Sequence, residues 1–130
     1  MRYEETLNYL CSTATMKSHI VHMKKFDIIL LEEARDFLLN LDEKPREKVL
    51  FNFRKAEYIN DPKLFKKLTS EIWEFRTEYN SIQYRFLAFW DKRATSTLVV
   101  STHGFIKKTD KVPNKEIEKA ETVRKIYFNL

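Results

Sequence analysis

The first half of the chain changes from a short apolar run to two amphipathic stretches. The run Phe26–Leu31 is apolar and β-branched, which predicts a buried strand. Apolar side chains at positions 34, 37, 38 and 41 then follow the spacing of one helix face. Positions 49, 50, 53 and 56 repeat this pattern and predict a second helix over residues 45–58. The short polar connection predicts that the two helices form an antiparallel hairpin.

The second half of the chain predicts three strands and a final helix. The strands are EIWEFR (71–76), IQYRFLAFW (82–90) and STLVVSTHGFI (96–106), and hairpin-length turns between them predict antiparallel neighbours. The third strand is the most β-branched, so we expect it at the centre of the sheet. Residues 113–128 predict the helix, whereas NDPKLFKKL (60–68) predicts no more than a short turn.

The order β-α-α-β-β-β-α predicts an α+β domain, in which the helices pack on one face of a small antiparallel sheet. The chain has 130 residues, of which 43% are hydrophobic, and this is enough for one core. Residues 1–22 lack clear periodicity, so we expect the folded domain to comprise residues 23–130. The first 22 residues would then be an extension that packs loosely on this domain, or a segment that is added because translation starts at an early start codon. A short helix that docks on the domain is the alternative for this segment.

Composition and charge narrow the classes of protein. A single glycine excludes a glycine-rich phosphate loop, and the single Cys11 excludes an internal disulfide and a cysteine-based zinc site. A reducing, cytoplasmic location is therefore expected, and no apolar stretch is long enough to cross a membrane. The net charge is +5, and the whole excess lies within residues 61–115, which hold eleven basic and six acidic residues. This distribution favours an anionic partner, with nucleic acid first, although a solvated basic surface is equally compatible.

Arg85 is a charged residue in the middle of an otherwise apolar strand. A charge at such a position either faces an open sheet surface or requires a partner, because its burial is unfavourable. Arg76 ends the preceding strand, and a tight hairpin would bring both guanidinium groups to one surface. Two neighbouring guanidinium groups repel each other, which suits a phosphate bound between them. The structural alternative is that Arg76 pairs with Glu74 or Glu78, and Arg85 with Glu74.

Two adjacent lysines follow the last strand, and alternation allows only one of them to join the arginines. We predict Lys108, because it shares a face with Gly104, whose missing side chain would leave space for a ribose or a base. The same alternation places Phe105 and His103 in the helix-packed core. His103 is then expected to be a hydrogen-bonded core histidine and not a general base, unless a bulge near Gly104 moves it to the other face.

Other basic and aromatic residues could extend a nucleic-acid surface. Lys66 and Lys67, with Lys63 beside them, would contact the backbone, but they are equally compatible with a solvated face. Tyr84 and Trp90 could stack on bases, although aromatic residues on strands are more often part of the core. One histidine in the folded region, without clustered carboxylates, predicts no metal site.

The segments KKLTSEIWEFR, YRFLAFW and LVVSTHGFIKKTDKVPNKEIEKA resemble the RelE/ParE toxin superfamily, and closely its phage-derived HigB-type branch. The resemblance covers about residues 24–128. It implies a RelE-like fold and the toxin half of a bacterial type II toxin–antitoxin pair. It also implies a ribosome-dependent mRNA endonuclease that needs neither metal nor cofactor and inhibits translation by attack of the ribose 2′-OH on the adjacent phosphate.

The resemblance implies roles for individual residues. Arg85 and Lys108 would neutralise the scissile phosphate, and Arg76 would assist them. The chain has Trp73 and Glu74 where RelE has lysines, and TDKVPN has no tyrosine where RelE has one, so the general base stays open between Glu74 and His103, with Lys107 a weaker candidate. The remaining residues assigned to RNA binding are Lys66, Lys67, Lys107 and Lys111.

The resemblance also implies a small helix-turn-helix, HigA-like antitoxin as partner, besides mRNA and the ribosome. The outer side of the N-terminal strand and helices could offer this antitoxin a surface. Two alternatives stay open. One is a ParE-like inhibitor that binds DNA gyrase and cleaves nothing, and the other is an inactive module that only binds the antitoxin.

Overall fold

The computed structural model describes residues 23–130, so the expected extension of residues 1–22 lies outside the described residues. In chain order the elements are β1 (Asp27–Leu30), α1 (Glu32–Leu39), α2 (Glu43–Tyr58), β2 (Phe65–Lys67), β3 (Trp73–Tyr79), β4 (Ile82–Asp91), β5 (Leu98–Lys107) and α3 (Asn114–Phe128). The predicted α+β class and the order of the helices and long strands are confirmed.

The strands form one five-stranded sheet in the order β1-β5-β4-β3-β2. The pair β1–β5 is parallel, and the other three pairs are antiparallel. Two predictions about the sheet were wrong. The segment predicted as a turn contributes the short edge strand β2, and β4 instead of β5 occupies the centre. The centre suits β4 because most of its ten residues are apolar and they supply both sides of the sheet, so both of its faces can be covered.

The helices pack on both faces of the sheet, which corrects the prediction of one covered face. Helices α1 and α2 cover the helical-hairpin face, where Phe53 packs against Phe75 and Phe86 with ring centroids 4.9 and 5.1 Å apart. Helix α3 covers part of the opposite face, here called the α3 face, through Ala120 above Leu87 and neighbouring apolar residues. Because side chains alternate along a strand, β4 supplies apolar residues to both cores.

A polar contact fastens the end of α3 to the end of β4. The Tyr127 hydroxyl donates to Asp91 Oδ2 at 2.8 Å, and Arg93 donates to both carboxylate oxygens of Asp91 at 3.0 Å. The hydrogen bonds from Arg93, followed by the one from Tyr127, lower the pKa of Asp91 to about 2. Along β4, the apolar cluster beneath α3 ends at Leu87, and the residues on the same face nearer to the β3–β4 turn are Arg85 and Gln83. The part of the α3 face near the β3–β4 turn is therefore polar.

Candidate functional site

Two arginines lie opposite each other on the α3 face, where β3 pairs with β4. The turn residues Asn80 and Ser81 have positive φ values of 53° and 65°. Such a two-residue turn fixes the register of a hairpin, and here Arg76 pairs directly with Arg85. Directly paired residues project to the same face of a sheet. The prediction that the hairpin brings these two side chains to one surface is confirmed.

Glu74 lies between the two arginines and contacts both. Its Oε1 is 3.4 Å from Arg76 Nε, and its Oε2 is 3.5 Å from Arg85 Nε. The side chain of Arg85 is 3% exposed, whereas that of Arg76 is 29% exposed. The ion pairs left open as the structural alternative are therefore present together with the arginine pair. Glu74 is shared between two guanidinium groups, and Arg76 is the more accessible of the two arginines.

Further contacts hold the guanidinium group of Arg85 in place. Its Nη1 donates to the Tyr84 carbonyl and its Nη2 to Gln83 Oε1, both at 3.1 Å. Burial lowers the pKa of Arg85, while the charge of Glu74 raises it and the charge of Arg76 lowers it. The two arginines and Glu78 line an open pocket of about 280 Å³, together with Lys63, Thr77 and Gln83. This arginine pocket can accept an anionic group beside Arg76.

A β-bulge on β5 decides which residues share the face of the arginine pocket. Ser101 pairs with Ala88 and His103 pairs with Leu87, so Thr102 is the extra residue of the bulge. The bulge places His103 on the α3 face, beside Phe105, which pairs with Arg85. The prediction that these two residues face away from the arginines was wrong. A bulge near Gly104 is the condition under which His103 was expected to lie on the other face, and the structure has such a bulge.

His103 is buried beneath the start of α3. Its Nδ1 is 2.8 Å from Thr102 Oγ1, and its Nε2 is 3.4 Å from Glu116 Oε1. Burial is the main cause that lowers the pKa of His103, and the charge of Lys119 lowers it further, while Glu116 opposes both. The imidazole is therefore neutral near pH 7. It is a core histidine with a hydrogen bond, as predicted, and it lies on the face of the candidate site.

Of the two adjacent lysines, Lys107 is the last residue of β5 and Lys108 is the first residue after it. Lys107 pairs with Gln83 and so lies on the α3 face, whereas Ile106 pairs with Tyr84 on the helical-hairpin face. Lys108 lies beyond the end of β5, where alternation no longer applies, and it lines a pocket together with Lys107 and Gln83. The register therefore places Lys107 on the face of the arginines, and the placement of Lys108 beside them stays a prediction.

Gly104 does not leave space for a ligand. A Cβ atom at this position would collide with the ring of Phe37, and it would lie 2.9 Å from Phe86 Cε2. Gly104 pairs with Phe86, so it faces the helical hairpin. The glycine is needed for the close packing of α1 on the sheet, and the prediction of a ribose or base there was wrong.

The other predicted RNA-binding lysines do not form one surface. Lys66 pairs with Glu74 and lies on the α3 face, whereas Lys67 pairs with Trp73 on the helical-hairpin face. Lys111 is exposed in the loop before α3. The α3 face therefore holds Lys66 and Lys107 near the arginine pocket, and Lys67 belongs to a different surface.

Two residues at the site were not identified from the sequence. Gln83 accepts a hydrogen bond from Arg85 and donates one to Glu78. Glu116 faces His103 from the first turn of α3. Alternation could have indicated Gln83, which is two residues before Arg85 on one strand. No local pattern indicates the contact of Glu116, because it depends on how α3 docks.

Within residues 23–130, no group of three or more His, Cys, Asp or Glu side chains is arranged to hold a metal ion. In the same part of the chain, no helix is both long and apolar enough to span a membrane.

Comparison with known proteins gives one match. The model of the family described as "Phage derived protein Gp49-like (DUF891)" matches residues 36–125, which include α2, the whole antiparallel part of the sheet and most of α3. Neither the search of curated proteins nor that of solved structures returns a match. Since the family model covers more than half of the chain, the protein belongs to the Gp49-like phage-derived family, which is related to the RelE/ParE-like toxins and commonly supplies the toxin module of toxin–antitoxin systems.

Proposed function

We propose that the chain is the toxin of a type II toxin–antitoxin pair, of the HigB-type branch, and that it cleaves mRNA on the ribosome. One observation carries the proposal: the two paired arginines and a neutral histidine lie on the same face of the sheet. Charge stabilisation and proton transfer are the two contributions that phosphodiester cleavage requires.

The proposed reaction is attack of a ribose 2′-oxygen on the adjacent phosphorus. A bond forms between that oxygen and phosphorus, and the bond from phosphorus to the 5′-oxygen breaks. A base removes the proton from the 2′-hydroxyl, and an acid returns a proton to the leaving 5′-oxygen. The products are a 2′,3′-cyclic phosphate and a 5′-hydroxyl, and no oxidant or reductant takes part.

Arg76 is the residue that we assign to direct contact with the phosphate, because it is the exposed member of the pair. Lys107 supplies a second cation from β5 on the same face. The buried Arg85 adds a fixed positive charge behind them, and Glu74 holds both arginines in place. Fixed charges of this kind stabilise a developing negative charge without having to reorganise.

His103 is the residue that we assign to proton transfer. It is neutral near pH 7, because burial lowers its pKa, so the unprotonated nitrogen of its ring can accept a proton. Glu74 is less suited as a base, since both of its oxygens face arginines. His103 is only 2% exposed, so the first turn of α3, which carries Glu116, must move aside when RNA binds.

The proposed partners are mRNA in the ribosome and a HigA-like helix-turn-helix antitoxin that silences the toxin. The family relationship supports an antitoxin partner. The basic α3 face supports an RNA substrate, because Lys66 and Lys107 flank the arginine pocket on either side.

The proposal is tested by induction of the chain in bacteria, followed by primer extension on cellular mRNA. We expect cuts within translated codons that disappear when translation initiation is blocked. Arg76→Gln should weaken the cuts by about 10²-fold, while Arg54→Gln, a matched change on α2, should leave them unchanged. Growth arrest without any cut in mRNA, and with inhibited gyrase, would refute the nuclease and support the ParE-like alternative.

An antitoxin-binding module without catalysis is the second candidate function. It is favoured by the compensation of the arginine charges by Glu74 and by the burial of His103. The same experiment separates the two candidates. A module of this kind would neither arrest growth nor cleave mRNA, and it would still bind the antitoxin.

A further inference from the structure

A second pocket lies at the other end of β3 and β4, away from the Asn80–Ser81 turn. It opens on the helical-hairpin face, because Trp73 pairs with Ala88 and projects to the side of Phe75. Its volume is about 420 Å³. The tryptophan pocket, as we name it, is lined by Lys67, Ser70, Glu71, Trp73, Trp90 and Lys92.

The two indole rings are supported from behind and partly exposed in front. Their centroids are 5.6 Å apart, and the rings meet edge to face at 74°. Trp73 stacks on Phe65 with centroids 4.9 Å apart, and Trp90 packs edge-on against Phe26 at 5.3 Å. The rings are held by the core, and neither is fully buried. They therefore present a rigid aromatic surface with little conformational freedom left to lose on binding.

The charge around these rings is positive. Lys67 pairs with Trp73 across β2 and β3, and Lys92 Nζ lies 5.0 Å above the centroid of Trp90. Both lysines are exposed, and neither forms an ion pair with any residue of the described part of the chain. The acidic residue of the pocket, Glu71, faces Arg124 at 3.2 Å, so its charge is compensated. The pocket therefore favours an anionic group beside a flat ring.

We propose that the tryptophan pocket binds a nucleotide of single-stranded RNA outside the cleavage site, with the base stacked on an indole and the phosphate held by Lys67 and Lys92. Aromatic platforms flanked by basic side chains bind single-stranded nucleic acid in this way. Lys92 leaves the face of Trp90 when the base takes its place. The inference deepens the proposed function and rests on it for the choice of RNA.

The edge strand β2 connects the tryptophan pocket to the arginine pocket. Lys66 faces the α3 side beside Glu74, and the next residue, Lys67, faces the tryptophans. An RNA strand that crosses this edge meets a lysine on each face. Trp73 and Arg76 are three residues apart on β3, which corresponds to about 10 Å along the strand. The tryptophan pocket would hold RNA next to the linkage that is cleaved.

The chain contains only two tryptophans, and both line this pocket. Their fluorescence under selective excitation therefore reports on the pocket alone. Titration of the purified full-length protein with a short oligouridine RNA should quench the emission, and added salt should weaken the binding. Lys67→Ala combined with Lys92→Ala should weaken binding by about tenfold, and the matched Lys125→Ala on α3 should not change it.

A ring-preserving variant separates stacking from folding. Trp73→Leu should weaken RNA binding by about tenfold, as measured by anisotropy of a labelled oligouridine, and Trp73→Phe should restore most of the affinity. RNA binding without any change of tryptophan emission would overturn the proposal that RNA binds in the tryptophan pocket. Quenching by an acidic aromatic peptide, and none by RNA, would overturn the choice of RNA and indicate a protein partner. Equal affinity in the double lysine variant would overturn the phosphate contact.

The catalytic proposal is checked separately with Arg76→Gln. If both proposals hold, mRNA cleavage by this variant falls by about 10²-fold, and its quenching by oligouridine is retained. If the nuclease proposal is refuted and the proposal for the tryptophan pocket holds, oligouridine quenches the emission, and neither the wild-type protein nor any variant cleaves mRNA. If the pocket is refuted and the nuclease holds, cleavage persists in Trp73→Leu and in the double lysine variant with wild-type efficiency.

Discussion

The arginine pocket and the tryptophan pocket are built by the same two strands and differ in how their charge is held. In the arginine pocket, Glu74 contacts both arginines, and Arg85 is almost fully buried. In the tryptophan pocket, Lys67 and Lys92 are exposed and lie beside aromatic rings. Buried, paired charge is fixed in position, whereas exposed lysines adapt to a ligand and are screened by salt. The fixed charges of the arginine pocket suit the stabilisation of a transition state, and the exposed lysines of the tryptophan pocket suit the binding of an RNA strand.

The largest effect is expected from a change that breaks the arginine pocket. Glu74→Gln leaves Arg85 buried without its carboxylate, so the free energy of unfolding should fall by about 3 kcal/mol. Urea denaturation followed by circular dichroism measures this loss. Lys66→Ala, a change at the residue that pairs with Glu74 but is exposed, should have an effect of about 0.5 kcal/mol or less. Equal stability of the two variants would show that Glu74 does not compensate a buried charge.

A change at Arg76, the exposed member of the arginine pair, should reduce activity and leave stability almost unchanged. Arg76→Gln should reduce mRNA cleavage by about 10²-fold, because a cation directed at the phosphate is lost. Its ion pair is partly exposed, so the free energy of unfolding should change by less than about 1 kcal/mol. Cleavage assays on ribosomes and urea denaturation give the two values. Unchanged cleavage would remove Arg76 from the site.

The stabilisation that Asp91 provides by its contacts with Tyr127 and Arg93 should depend on pH. The pKa of Asp91 falls from 3.8 to about 2 in the folded chain, so its stabilisation is complete above about pH 4 and is lost as the pH falls towards 2. Asp91→Asn should lower the free energy of unfolding at pH 7 by about 1–2 kcal/mol. Denaturation at a series of pH values measures this difference. A difference that stays constant down to pH 2 would contradict the lowered pKa.

The smallest effect is expected from the exposed lysines. In the double variant Lys67→Ala with Lys92→Ala, the slope of log K against log salt concentration for oligouridine should become shallower by about 1.4. The free energy of unfolding should change by less than about 1 kcal/mol, because both side chains are exposed. An unchanged slope would show that the two lysines do not contact phosphate. This result would not contradict the role proposed for the arginine pocket.

Hydrophobic periodicity was sufficient for most of the fold. The three helices, the strands β1, β3, β4 and β5, and the β3–β4 hairpin follow from local spacing and turn length, because these are properties of neighbouring residues. The pairing of Arg76 with Arg85 follows from the same hairpin. The short strand β2 was not predicted, since its three residues extend only by pairing with β3. The position of α3 on its own face was also not predicted.

The sequence by itself determined the α+β class, the order of the long elements, the arginine pair and the surplus of basic residues in the middle of the chain. Only the tertiary structure decided which residues join that pair. One extra residue, Thr102, moves His103 and Lys107 onto the α3 face, and the docking of α1 fills the space at Gly104. A bulge changes the face of every residue that follows it on the strand, and it depends on pairing with β4, which no local pattern encodes.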